Sequence, residues 1–182
     1  MAETIKQVED VAAGDGYPAA PAGLSDKAQA LNSDMIWARI ESYIAHRFSV
    51  RPVVWLIEAS AGDQWVPPLG PIVSWTAERW WDEWTAVDLM QGPLGLHMPS
   101  NGTFRIAAQI GVDEIPAPVA EAFRRLAEYY AGGRSTVNEP GASNFDFKMD
   151  ELQWSVQRNP AHMARAMQNS GAADLLRPYR RA

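Results

Sequence analysis

The stretch "IVSWTAERWWDEWT", residues 72–85, places Trp75, Trp80, Trp81 and Trp84 within ten positions. Its reading sets how the rest of the chain is organised. Read as extended backbone, it points Val73, Trp75, Ala77 and Arg79 to one side and Ser74, Thr76, Glu78 and Trp80 to the other. Both faces then carry tryptophan, and four indoles on such a ribbon cannot all enter one small core. Trp75 is expected in the core, and the cluster as a whole is expected to touch another protein, because large exposed apolar patches mark partners.

The neighbouring sequence extends this β reading. "VVWLIEA" (53–59) is β-branched and aromatic, "WVPPLGP" forces a turn, and "LGLHM" (94–98) and "TFRIAAQIG" (103–111) read as further extended segments, with Asn101-Gly102 between them as a hairpin signal. A small antiparallel β region over about 53–111 follows. Helices flank it. From the N-cap Ser25, the residues Ala28, Leu31, Met35, Ile36, Ile40, Tyr43 and Ile44 recur at helical spacing, with Asn32 as a restart and Arg51-Pro52 as the stop. Beyond the β region, Val119, Ala122, Phe123, Leu126, Ala127 and Tyr130 form an apolar stripe that ends at Gly132-Gly133. A loop, a short helix or turn around Met149 to Val156, a helix opened by Asn159-Pro160, and a last turn from Ser170 or Gly171 through Leu175 and Leu176, stopped by Pro178, complete the pattern. The fold class expected is α+β, mainly α: a helical bundle with an inserted antiparallel β region and an extended C-terminal tail. Residues 1–24 read as a flexible Ala/Gly/Pro leader, 25–170 as one domain and 171–182 as a docking tail.

Composition narrows the function classes. The 182 residues suffice for one compact domain, and no apolar run approaches the roughly 20 residues needed to span a bilayer. No membrane association and no secretory signal are expected. The chain has no cysteine, which removes disulfides, thiolate nucleophiles and zinc–sulfur sites. The net charge of −6 argues against binding nucleic acid through a basic face. Its distribution is uneven, with six acids against two lysines from Met1 to Asp34, and five arginines against Asp174 alone from Arg158 to Ala182. The front is acidic and the tail basic.

No reaction centre emerges. His46, His97 and His162 lack metal-ligand spacing, and no phosphate-binding or nucleophile motif is present. Glu78, Asp82 and Glu83 read as solvated edge charges. Neither catalytic residues, nor a metal, nor a cofactor is expected.

The order of segments resembles the head-to-tail connector, or adaptor, proteins of long-tailed phages and gene transfer agents. The residues that carry the resemblance are "YIAHR" (Tyr43 to Arg47), "PIVSW" (Pro71 to Trp75), "IPAPVAEA" (Ile115 to Ala122) and the terminal "LLRPYR" (Leu175 to Arg180). It covers about residues 28–182; the leader and the tryptophan-rich stretch depart from the family pattern. The resemblance implies a structural virion protein of the neck, assembled in the bacterial host cytoplasm and not an enzyme. It would form a ring of itself, commonly of twelve, seated on the portal protein and followed by the stopper or another neck protein. Double-stranded DNA would pass through the channel without sequence-specific binding. It further implies that Leu175, Leu176, Arg177, Pro178, Tyr179, Arg180 and Arg181 reach the portal, with Pro178 keeping the end extended. Trp75, Trp80, Trp81 and Trp84 are the candidate subunit or neck interface. The competing expectations are another neck or tail subunit, a stopper or tail terminator richer in sheet, and, behind it, a small-ligand binder or enzyme.

Overall fold

The computed structural model describes residues 2–14, 16–133, 144–149, 152–157 and 165–180. Strand β1 (Glu3–Glu9) is followed by helices α1 (Asp26–Gln29) and α2 (Ser33–Tyr43). Then come β2 (Arg51–Ala59), β3 (Gln64–Trp65), β4 (Ile72–Trp80), β5 (Trp84–Ala86), β6 (Met90–Gly92), β7 (Gly95–His97) and β8 (Gly102–Ile110). Helix α3 (Ala117–Gly133), strands β9 (Asn144–Met149) and β10 (Leu152–Gln157), and helices α4 (Ala166–Asn169) and α5 (Ala172–Leu176) follow, and a 3-10 turn (Arg177–Tyr179) comes last. Two compact units emerge. The first comprises residues 1–18, 38–115 and 179–182, and the second residues 19–37 and 116–178.

The first unit is a β structure. Its five-stranded sheet has the order β1-β2-β8-β4-β5, antiparallel throughout, and a three-stranded sheet has the order β3-β7-β6. Strand β2 explains the core: Val53, Trp55, Ile57 and Ala59 alternate inward and are buried, and Phe104, Ile106, Ala108 and Ile110 do the same on β8. Trp65 and Leu96 of the smaller sheet belong to the same cluster, with the Trp55 and Trp65 rings edge-to-face at 5.3 Å. Both indole N–H groups need acceptors once buried. Strand β1 supplies them: Trp55 Nε1 donates to Gln7 Oε1 and Trp65 Nε1 to Thr4 Oγ1, each at 2.9 Å.

A buried ion network fastens β1, α2 and β2. The Arg51 guanidinium forks onto the Glu41 carboxylate at 2.7 and 2.9 Å. Glu9 accepts from Arg47 at 2.7 and 3.1 Å and from Arg51 at 3.1 Å. Arg47 also donates to the carbonyls of Glu41 and Ile44 at 3.0 and 3.1 Å, satisfying groups that the end of α2 leaves open. Glu41 and Arg51 are 4% and 1% exposed. Burial pushes the Glu41 carboxyl above its ordinary range, while the Arg51 fork pulls it back. The Tyr17 ring covers the Arg51 guanidinium at 5.2 Å, and Ser49 Oγ, which accepts from Arg51, donates to the Gly16 carbonyl.

Among the described residues, the second unit is helical apart from β9 and β10. Ser25 caps α1, its side chain accepting from the Ala28 N–H, and Asn32 restarts the helix by accepting from the N–H groups of Asp34 and Met35. Ser25 in turn is held by Glu128 of α3 at 2.7 and 2.8 Å. Val119, Ala122, Phe123, Leu126 and Ala127 are fully buried on α3, and Trp37 stacks tilted on Phe123 at 4.8 Å. Helix α5 packs on α3 and on α4.

The expected fold class is overturned. The chain is mostly sheet rather than a helical bundle, and among the described residues only α2 and α3 exceed five residues in helix. The antiparallel region at 53–111 is the body of a unit, not an insertion in a bundle. Strand content also lies outside it, in β1 within the stretch read as a leader and in β9–β10, where a loop and a short helix or turn were expected. The Asn101-Gly102 signal does not close a hairpin, because β7 pairs with β3 and β6 while β8 pairs with β2 and β4. The last turn expected through Leu175 and Leu176 is present as α5, but the tail is not extended after it: Pro178 lies inside the 3-10 turn Arg177–Tyr179 instead of stopping the helix and keeping the end extended. The expected start of the late helix at Asn159-Pro160 lies outside the described residues. Among those described, no helix is long and apolar enough to cross a membrane.

Removing one partner of a buried ion pair leaves the other charge uncompensated, at a cost of about 3–5 kcal/mol. Arg51→Met is expected to lose stability of that order in urea unfolding. The double variant Glu41→Met/Arg51→Met should lose less than the two single losses combined, which a double-mutant cycle measures directly.

Candidate interaction surface

Strands β4 and β5 join through Trp81, Asp82 and Glu83, and the Trp81 N–H donates to the Glu83 carbonyl at 3.2 Å. Trp80 and Trp84 are directly opposite in register, with ring centroids 5.2 Å apart and planes at 60°. Arg105, from β8, lays its guanidinium 4.5 Å over the Trp84 ring while its Nε donates to Glu78 at 2.6 Å. Arg79 stacks 5.2 Å over Trp81 and donates to the Asn101 carbonyl at 2.8 Å. The tip of this hairpin is therefore a fixed array of three indoles and two guanidiniums. Exposed cation–π contacts contribute about 0.5–1 kcal/mol each, enough to hold rotamers in place.

The array remains in water. Trp81 is 73% exposed and Trp80 45%, Trp84 is half-buried, and Trp75 packs against the core of the sheet. The alternation read from the sequence holds for Trp75 and Ala77 against Ser74 and Thr76. It fails at Val73, which sits at a bulge in the β4–β8 register and is 60% exposed.

The C-terminal residues are distributed differently. Leu176 is fully buried and Leu175 half-buried, both on α5, whereas Arg177 and Pro178 are exposed. The Tyr179 carbonyl accepts from the Ala45 N–H at 3.3 Å, and its ring meets His46 and Phe48 edge-on at 5.6 and 5.9 Å. Arg180 stacks 4.7 Å over Tyr43 and donates to its hydroxyl at 3.3 Å. Arg181 lies outside the described residues. Leucines 175 and 176 thus serve a helical core, while Tyr179 and Arg180 lie against the segment 43–48. Burial, and behind it the Arg47 charge, pull the His46 pKa below its ordinary 6.5, so the imidazole beside Tyr179 is neutral at pH 7.

Nothing among the described residues gathers three His, Asp or Glu side chains that could hold a metal ion. His97 lies on β7, and His162 lies outside the described residues. Glu78 is committed to Arg105. The sequence reading missed the Glu9, Glu41, Arg47 and Arg51 network. Its only advance signal is two arginines and a glutamate on or near an apolar helix stripe.

No family model and no curated protein matches the chain. Among solved structures it is similar to one described as the neck of an empty GTA particle computed with C6 symmetry. That chain is 18% identical, the alignment covers 93% of this chain and 94% of that one, and the TM-score is 0.45.

Two measurements separate surface from core here. Trp81→Ala is expected to cost no more than about 1 kcal/mol, the worth of its exposed cation–π contact, whereas Leu176→Ala should cost about 2–5 kcal/mol by leaving a cavity. Because the folded His46 binds its proton less readily than the unfolded chain, its contribution is present above pH 6.5 and lost as pH falls through the lower folded value. Thermal melts should therefore show stability declining below pH 6.5, with a flatter profile in His46→Gln.

Proposed function

We propose that this chain is a structural protein of a tailed phage or gene transfer agent neck, an adaptor that forms a ring on the portal and passes DNA to the stopper and tail. The observation that carries the reading is the hairpin tip. A chain of net charge −6 with its cores elsewhere filled holds three indoles rigidly at one end of a sheet, with Trp81 73% exposed. Aromatic residues and arginine are enriched among interface hot spots, and groups already fixed in place lose little conformational freedom on docking. The ordered motifs through "LLRPYR" support the family, and the exposed Arg177 and Arg180 suit portal carboxylates. A ring requires two unlike surfaces per subunit, for which the Trp/Arg tip and the C-terminal segment are suited. A net negative chain offers DNA phosphates little counter-charge, which suits passage rather than capture. The reading assigns no reaction and no cofactor to the chain; its site of action is the virion neck.

One observation favours a second reading, a stopper or tail terminator. The fold is mostly sheet, as expected of those subunits. The choice of partner separates the two.

Leu176 is a core residue, so the informative truncation begins after it. Removal of Arg177–Ala182 is expected to leave the chain folded, with a lower melting transition because Tyr179 no longer covers His46 and Phe48, and to abolish co-sedimentation with portal. Retained co-sedimentation would contradict portal docking by this segment, and binding to tail-side proteins alone would favour the second reading.

A further inference from the structure

The five-stranded sheet of the first unit ends in two rims, β1 on one side and β4 with the short β5 on the other. Strand β1 is seven residues long, and among the described residues no strand pairs with its outer side. On the opposite rim, β5 covers only Glu78–Trp80, and the Val87 N–H then reaches the Ala77 carbonyl at 3.0 Å. From Ile72 to Thr76, no strand lies on the outer side of β4 among the described residues. Both rims of one sheet are thus open over stretches of similar length.

An open edge is a template for pairing, and soluble chains ordinarily block it with charges or with bulges that turn the strand away. None of residues 64–77 is charged. Each rim does have a bulge, between Thr4 and Lys6 on β1 and between Ile72 and Ser74 on β4. The residues that the bulges take out of the ladder are Ile5 and Val73, both exposed aliphatics. They present apolar side chains where a guarded edge presents charge. Beside the β4 rim lies a groove of about 200 Å³ lined by Pro67, Ile72, Val73, Trp75 and Leu96.

Strand direction and charge decide what fits this rim. Neighbours in the order β1-β2-β8-β4 are all antiparallel, so β1 and β4 run in opposite directions. A second copy set beside the first by rotation about an axis along the strands keeps its directions, and its β1 then lies antiparallel to β4. The faces also agree. Thr4, Gln7 and Glu9 of β1 turn inward to accept from Trp65, Trp55 and Arg47, as Trp75 and Ala77 of β4 turn inward to the core. Lys6 and Val8 of β1 are exposed, as are Ser74 and Thr76 of β4. Lys6 is the one cation of β1, and the exposed Asp88 directly follows the Val87 contact that ends the covered part of β4.

We propose that the β1 rim of one copy pairs antiparallel with the β4 rim of a second copy along Ile72–Ala77, with Lys6 meeting Asp88 and Ile5 entering the groove. Main-chain hydrogen bonds supply the pairing, and the opposite charges fix its register. The two rims are unlike, so the contact is head-to-tail and closes into a ring when the rotation allows. Pairing of β4 with β4, or of β1 with β1, would end at two copies and leave the other rim of each uncovered. This deepens the ring reading above and rests on it, by naming the contact between copies.

The chain has no native cysteine, so introduced thiols report the contact directly. Full-length Val8→Cys and full-length Ser74→Cys are mixed in the presence of portal and treated with a bismaleimide spanning about 10 Å, roughly two strand spacings. Mass spectrometry of the digest identifies the linked peptides. Within one chain β2 and β8 separate the two positions by three strand spacings, about 14 Å, so the reagent joins neighbouring copies only. A link is expected in the mixture and from neither variant alone. Lys6→Asp added to the Val8→Cys chain should lower its yield about threefold or more, and Asp88→Lys added to the Ser74→Cys chain should restore it. Closed rings on portal without the link would overturn the inference and leave the ring reading standing. No link and no ring at any concentration would overturn both. A link from either variant alone, or one indifferent to the charge reversal, would also overturn the inference.

Discussion

The first unit depends on the charge network of Glu9, Glu41, Arg47 and Arg51. Burying four charges is costly, and the arrangement is tolerable because almost every donor and acceptor has a partner: the Arg51 fork on Glu41, two arginines on Glu9, and Arg47 on the open carbonyls of α2. The network joins residues that lie up to 42 positions apart. It thereby fixes the edge strand β1 against β2, and β1 in turn supplies the acceptors that two buried indoles require. Apolar burial alone would have tolerated a slipped β1; specific charge pairs and two indole hydrogen bonds do not.

With tryptophans 55 and 65 sealed in that core, the remaining indoles at the β4–β5 tip are surplus to folding. Their positions are nevertheless well defined, because Arg79 and Arg105 hold two of the rings and β8 holds Arg105. The same sheet that is rigid inside is unfinished at its rim: an uncharged stretch of β4 on one side, exposed Ile5 and Val8 of β1 on the other. Rigid core and unfinished rim are the two properties on which the proposed assembly role draws.

Much of the secondary structure was legible. The β-branched and aromatic run at 53–59, the alternation at 72–80 and 103–111, the Asn32 break and the α3 stripe all appear where local pattern placed them. The balance between helix and sheet was misread for identifiable reasons. Strand β1, "ETIKQVE", is an edge strand with polar residues on both faces, so it carries no hydrophobic period. Strands β3, β5, β6 and β7 are two or three residues long, below the length at which alternation can be recognised. The ribbon "NFDFKM" and "LQWSVQ" did alternate, but its loop-like surroundings obscured the period of two. Of the candidate surface, the indole cluster was visible as composition, whereas its arginine partners were not, because Arg105 reaches Trp84 only through strand pairing. The split within the C-terminus, core at Leu176 and surface beyond it, required the packing of α5: the sequence placed a last turn through Leu175 and Leu176 but could not show which of the two leucines it buries.

The central claim is that this protein acts by assembling, through surfaces its own fold leaves uncovered. Electron microscopy of the purified full-length protein mixed with the portal encoded in the same genome tests it most directly. The account predicts a closed ring of copies seated on the portal, with the Trp80–Trp84 tip buried against a neighbour. Isolated single copies beside bare portals, with the indole tip still facing solvent, would contradict it.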